Sequence, residues 1–348
     1  MSLSTALRTR DLAELPSRRD EDWRWTDLRG LLRVLPPQSA PAIAPDAGPF
    51  AALTPGTILF VNGEAIFPDI DERGNTANGR GGVMGLRFVS VARDTSHTAS
   101  APLVFSPGTK TVVLESYEGH GSGYVTDVAL EFDLEEGAQV ERIVFAADVP
   151  DAITVSHATV RLAADARFSQ TILTTGAKRQ RFETHVENPG NAEVRLDGVY
   201  VLSDQRHADQ TSVVTHSGLQ GTTTQLTKGM VTDQARGVFQ GRIVVAKGAD
   251  RTDARMGHHA LILSDRAEVD AKPELEIWAD DVACAHGNTV GALDEEALFY
   301  ALSRGIPAEA TRAMLIQAFL SEVVERIEHE GARDLAAAWL AARLGGQP

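Results

Sequence analysis

The sequence predicts an all-β core of the β-solenoid type over about 100–291, between a helical N-terminal segment and a C-terminal α-helical domain. Three observations carry this reading. Through 100–291, short β-rich runs alternate with turn residues and helical periodicity is absent. Within 193–202, Val194, Leu196, Tyr200 and Leu202 are apolar while Glu193, Arg195 and Asp197 are not, the period of two of a half-buried strand. A short pattern also recurs: Gly137-Ala138-Gln139-Val140, Asp165-Ala166-Arg167-Phe168, Asn191-Ala192-Glu193-Val194 and Arg266-Ala267-Glu268-Val269. From Ala138 to Ala166 to Ala192 the step is close to a period of about 25, and from Ala192 to Ala267 it is three such periods. A period of this size is one coil of a stack in which no coil buries its face alone. A four-residue pattern also recurs by chance in β-rich sequence, so a generic β domain stays open at this level.

The elements follow in order. Residues 1–35 read as helical and polar, with Trp23, Trp25, Leu28, Leu31 and Leu32 as apolar positions. Pro36-Pro37 stops the pattern, and a Pro-, Ala- and Gly-rich linker completes an N-terminal part over 1–50 and runs on to Pro55. Over 51–99, short strands and Gly-rich loops lead into the core. Ile58–Val61 reads as a strand closed by an Asn62-Gly63 turn, and Gly-rich sequence runs from Gly74 to Gly85. The core takes 100–291, and 292–348 forms the helical domain. There Asp294 is an N-cap with Glu295 and Glu296 in the first turn, Gly305 ends that helix, and Pro307 opens the next. Ile316, Phe319, Leu320, Val323 and Ile327 form one stripe, and a third helix with Leu335, Trp339 and Leu340 follows Gly331. Such helices are expected to cap the β stack and cover its terminal edge.

Composition narrows the function. The 348 residues carry a formal charge of −15, which argues against nucleic acid as a partner. The basic patches, Arg18-Arg19 and Lys178-Arg179 with Arg181, read as solvated loops. Cys284 is the single cysteine, so no internal disulfide is possible. Met1 to Arg10 has no apolar region of the secretory type, and no apolar run reaches the roughly 18 residues that span a membrane. A soluble, cytoplasmic protein with no membrane partner is expected. Self-association of two such acidic chains must rest on paired strand edges or apolar contact.

Signatures of catalysis are missing: the sequence holds no phosphate loop, no G-x-G-x-x-G after a strand, no H-E-x-x-H and no G-x-S-x-G. His258 and His259 are adjacent, so in a strand they point to opposite faces and do not share one ion. The segment Asp280–Gly287 is different. Cys284 and His286 lie two apart and share a face of an extended chain, where thiolate and imidazole suit iron or zinc. Val282 shares that face as well, so burial of Cys284 in the core is the alternative. Two ligands do not hold an iron–sulfur cluster alone, so a cluster here is shared with a partner.

The stretch DDVACAHGNTVGALDEEALFYALSRGI, Asp280–Ile306, resembles the C-terminal signature of the SufD family. Lys228-Gly229, Ala235–Gly241, Leu263–Asp265 and Lys272–Ile277 are similar to the core motifs of the SufB and SufD proteins. Glu21–Leu28, EDWRWTDL, resembles the family's acidic–aromatic element, and Phe60–Gly63 matches as well. Cys284-Ala285-His286-Gly287-Asn288-Thr289 follows the SufD style, and a single cysteine fits it better than the cysteine-richer SufB. The resemblance implies a right-handed parallel β-helix. It also implies a non-enzymatic scaffold that works with a SufB-type paralogue and a SufC-type ATPase, on which a transient [4Fe–4S] cluster shared with SufB is built. His286, with Cys284 as its weaker companion, then stands at the subunit interface, assisting cluster assembly or the admission of iron. The ATPase docks on the C-terminal helices, where Leu298, Phe299, Tyr300, Arg304 and Gly305 are the nominated contacts. A homodimer is possible beside the SufB pairing. Two rivals remain: a β-solenoid carbohydrate-active enzyme using Asp280-Asp281 or Glu274 and Glu276, and an ATPase adaptor that supplies no metal ligand.

Overall fold

The computed structural model describes residues 2–66 and 82–344. Residues 74–81 of the expected Gly-rich stretch lie outside the described residues. Strands come first: β1 (Thr57–Val61), β2 (Glu64–Ile66), β3 (Gly82–Ser90), β4 (Ser96–Phe105), β5 (Lys110–Gly119) and β6 (Val125–Leu134). They continue as β7 (Gln139–Ala147), β8 (Ile153–Leu162), β9 (Arg167–Thr174), β10 (Arg179–Asn188), β11 (Glu193–Leu202) and β12 (His207–His216). The last are β13 (Thr222–Val231), β14 (Arg236–Val245), β15 (Asp253–Ile262), β16 (Glu268–Ile277) and β17 (Ala283–Gly291). Even strands from β4 to β16 form one seven-stranded parallel sheet. Odd strands form the other, extended at its start by β2, which pairs antiparallel with β1. Asn62 and Gly63, with φ of 49° and 83°, make the tight turn of that hairpin, where glycine carries no steric cost. The chain thus alternates between two facing sheets: a parallel β-solenoid.

The coil is longer than the sequence spacing suggested, and its length is not constant. Arg167 aligns with Glu193 and Ile153 with Arg179, the two equally shortest steps, whereas Asp253 aligns with Ala283 and Arg236 with Glu268, both longer. The recurring pattern has a physical meaning for three of its four copies. Gly137, Asp165 and Asn191 take positive φ at the corner before a strand, Ala138, Ala166 and Ala192 are buried, and Val140, Phe168 and Val194 enter the core. Glycine, Asn and Asp fit such a left-handed corner. The fourth copy, at Ala267, opens β16 in the opposite sheet, so its distance from Ala192 does not measure whole coils.

Between the sheets, side chains stack in register. Phe60, Phe88 and Tyr117 form a ladder with ring centroids 4.9 and 5.0 Å apart. Each ring repeats at nearly the strand spacing, so every coil buries the face of the one before. His258 faces inward and His259 outward, as their adjacency predicts. The His258 Nδ1 lies 2.6 Å from Asn288 Oδ1, its Nε2 2.9 Å from the Tyr200 hydroxyl, and its ring stacks on Phe239. With the amide oxygen accepting from Nδ1–H and the phenol donating to Nε2, the ring is neutral. Burial pushes its pKa down to about 4, against about 6.5 in an open chain. Stability present above pH 6.5 is therefore lost as pH falls towards 4, because only the unfolded chain takes up the proton. Urea unfolding should show the gap between wild type and His258→Asn narrowing by about 2–3 kcal/mol from roughly pH 7 to pH 4.5. A gap independent of pH contradicts this.

The N-terminal segment is helical in short pieces, α1 (Leu3–Thr9), α2 (Leu28–Leu31) and two 3-10 turns, and it lies against the even sheet. Leu3, Ala6, Leu7, Leu15, Leu28 and Leu35 pack on Val125, Ile153 and Val155. Here one expectation fails. Arg181 is no solvated loop residue: it is fully buried, pairs with Asp209 at 2.7 Å, donates to the Asp22 carbonyl and lies under the Trp23 ring at 4.4 Å. The Thr26 hydroxyl donates to the same Asp209. A buried guanidinium is costly without partners, and the EDWRWTDL element brings several of them to it.

The C-terminal helices are α3 (Glu295–Ser303), α4 (Ala308–Val324) and α5 (Glu330–Leu344). They do not cap the stack. Ile316, Leu320, Val323, Ile327, Trp339 and Leu340 pack on the outer face of the odd sheet, against Ile143, Phe145, Leu173, Val199, Val201 and Met230. For that reason β11 is buried on both faces, where its pattern predicted one. Asp197 lies under α4, 3.0 Å from Arg326, and accepts from the Leu226 amide. An apolar outer sheet face offers the helices more area than a coil end does, so they lie along the flank.

Candidate functional site

With the helices on the flank, the last coil is left bare. β16 pairs with β14 and β17 with β15, and among the described residues neither carries a strand on its other side. Two long strand edges thus present free N–H and C=O groups. No residue of β17 is buried.

The inward-facing row of β17 follows from register: Cys284 aligns with Ala254 and His286 with Met256, both in the core between the sheets. Cys284 and His286 are therefore on one face, at the open mouth of the solenoid. They differ in cover. Cys284 is half-buried and, with Val282, touches the core, while His286 is exposed. Burial pushes the Cys284 thiol up, and the nearby Asp253 charge adds to this against a bond from the Ala254 backbone. The sulfur is thus a protonated thiol near neutral pH, and it becomes a strong ligand only when a cation displaces the proton. An added Cβ at Gly287 meets nothing within 4 Å, so this stretch of edge is open to another chain.

Of the nominated enzymatic acids, Asp280 and Asp281 are exposed, and the two glutamates are engaged in ion pairs. Glu274 pairs with Arg242 and Lys272, each at 3.1 Å, and Glu276 lies 3.6 Å from Arg242. The same edge also shows a group that the motif reading did not nominate. Trp278 is 69% exposed and Ile277 40%, at the end of β16. Two adjacent apolar residues closing a strand cannot both face the core, which is the signal that was available.

The nominated docking residues lie together on α3 and on the turn that ends it, at Arg304 and Gly305. Asp294 caps it, accepting from the Glu296 and Ala297 amides at 2.9 and 3.2 Å. No residue of α3 is buried; Phe299 is 73% and Tyr300 61% exposed, and Arg304 lies over the Tyr300 ring at 5.1 Å. Leu302 and, on α4, Met314 extend the exposed apolar surface. Two bare surfaces result: the mouth with Cys284 and His286, and the α3 face. Among the described residues no helix is long and apolar enough to cross a membrane.

Comparison with known proteins identifies the family. Residues 88–319 match the family model for the SUF system FeS cluster assembly, SufBD core domain. The chain is 28% identical to the iron–sulfur cluster assembly protein SufD of Escherichia coli, over 95% of this chain and 90% of that protein. It is 30% identical to an iron–sulfur cluster assembly SufBD family protein of Synechocystis, over 59% of this chain and 45% of that one. Identity to the SufD protein of Bacillus subtilis is 35%, over 35% of this chain and 28% of that protein.

Proposed function

The chain belongs to the SufBD family of the SUF iron–sulfur cluster assembly system, and on that footing we propose that it is a cytoplasmic, non-enzymatic scaffold subunit that pairs with a SufB-type paralogue through its last coil and holds a SufC-type ATPase on α3. The observation that carries this reading is the bare pair of edges, β16 and β17, with His286 exposed beside them. Unpaired edges recruit strands, and extending both sheets across two chains satisfies every free backbone group at once. Pairing of that kind buries Trp278, Ile277 and Val290, which are exposed in the single chain. The cargo is a [4Fe–4S] cluster, built transiently and shared with the paralogue, since one thiol and one imidazole are too few ligands.

His286 is the residue this reading depends on. Imidazole binds iron and shuttles protons near neutral pH, and it stands free where Cys284 is partly covered. In a complex with the paralogue, His286→Ala should leave assembly and ATPase capture intact while lowering iron and sulfide retained after anaerobic reconstitution by about tenfold. Cys284→Ser should have the smaller effect. Wild-type cluster loading by the His286→Ala complex would make the chain an adaptor that contributes no ligand.

A further inference from the structure

A second group of metal donors lies on the outer face of the even sheet. His157 on β8 is in register with Glu183 on β10, and His185, two positions further, shares the face of Glu183. The His185 Nε2 lies 2.7 Å from Glu183 Oε1, and the His157 Nδ1 4.0 Å from Glu183 Oε2. The two rings meet edge to face with centroids 4.9 Å apart. One donor atom from each of the three residues falls within 4.8 Å of the others.

We propose that His157, Glu183 and His185 form a mononuclear site for a divalent first-row transition ion of the Fe²⁺ to Zn²⁺ kind, separate from the mouth of the solenoid. Bonds of about 2.1 Å to nitrogen and carboxylate oxygen place donors around one ion about 3–3.5 Å apart. The present separations of 2.7 and 4.0 Å bracket that range, so small rotamer changes suffice. Two imidazoles and one carboxylate are borderline donors suited to these ions, and three protein ligands leave further positions for water.

The surroundings fit a cation. Arg181 donates to Glu183 Oε2 at 2.9 Å, which orients the carboxylate, yet its own charge is balanced by Asp209. Arg181, Asp209 and Glu183 together carry one net negative charge. Asp127 lies close enough to feel the charge of Glu183 and adds to the negative field when ionised. Burial pushes His157 down, so its ring is neutral and free to ligate. Burial pushes the Glu183 carboxyl up, but the His185 bond and the Arg181 guanidinium outweigh this and hold it below the usual range. The side chains of His157 and His185 are each 41% exposed, so an ion can reach them. A comparable trio, Asp46, Glu118 and His120, carries no such proposal, because the Arg87 guanidinium already pairs with both acids. β10 lies three ladder steps, about 15 Å, from β16, so the site is not part of the last coil.

The test uses the full chain stripped with chelator. Co²⁺ is titrated anaerobically and followed by its visible ligand-field bands, and Zn²⁺ is titrated by calorimetry. The chains compared are wild type, Cys284→Ser/His286→Ala, His157→Gln/His185→Gln and Glu183→Gln. The expected result is one equivalent bound by wild type and by Cys284→Ser/His286→Ala. Binding should weaken by at least about tenfold in Glu183→Gln and more in the double glutamine variant, each with an unchanged circular dichroism spectrum. Binding that survives in the folded double glutamine variant overturns the site, and so does binding that disappears only in Cys284→Ser/His286→Ala. If the double variant misfolds, the single variants His157→Gln and His185→Gln decide in the same way.

Discussion

Replacing Arg142 with alanine is expected to lower the unfolding free energy by about 3–5 kcal/mol. Arg142 lies between the sheets, 1% exposed, with Glu115 wholly buried beside it. Its Nε and Nη2 each donate to a Glu115 oxygen at 2.7 Å, and its Nη1 donates to Gln170 Oε1 at 2.6 Å. The Thr184 hydroxyl completes the group by donating to the same amide oxygen. Truncating the guanidinium leaves the Glu115 carboxylate buried with no cation to offset its desolvation. A loss of this size is a large part of the roughly 5–15 kcal/mol that separates folded from unfolded domains. The double change Arg142→Met/Glu115→Leu should recover most of it, because apolar groups of similar volume replace a buried pair with little net cost. Denaturant midpoints for the three chains check this, and an Arg142→Ala protein within about 1 kcal/mol of wild type contradicts it.

The second large effect concerns α3. Under the proposed function, Tyr300→Ala with Arg304→Ala should weaken capture of the SufC-type ATPase by at least about 100-fold, since exposed aromatic and arginine anchors each contribute about 2 kcal/mol or more at an interface. The β core should stay folded, because α3 buries none of its residues. The pair is best changed together: Arg304 lies over the Tyr300 ring, so either side chain alone keeps part of the surface. Calorimetric titration of the ATPase into each variant decides the point. Unchanged affinity in a folded double variant removes α3 as the docking element.

The outline of the molecule was legible in the sequence because it rests on local signals. Period-two alternation and corner residues marked the strands, and Asp294 and Gly305 marked the helix ends. That Cys284 and His286 share a face follows from their spacing alone, while the register with Ala254 and Met256 turns that face inward. Errors arose where a distant segment covers a local pattern. Arg181 reads as a surface cation among Lys178 and Arg179, but the N-terminal segment, far away along the chain, brings Trp23 and the Asp22 carbonyl over it. Asp197 reads as the solvent face of a half-buried strand, and α4 arrives to cover it.

The sequence by itself determined the strand-and-corner rhythm, the helical C-terminal part and the shared face of Cys284 and His286, since each depends on residues within one coil or one helix turn. Only the tertiary structure decided where the helices lie, that the final coil keeps two free edges, and that His157 meets Glu183 and His185 across the ladder between neighbouring coils. The reason is physical. Coil length varies from corner to corner, so which side chains become neighbours in adjacent coils is fixed by strand register and not by any constant spacing along the chain.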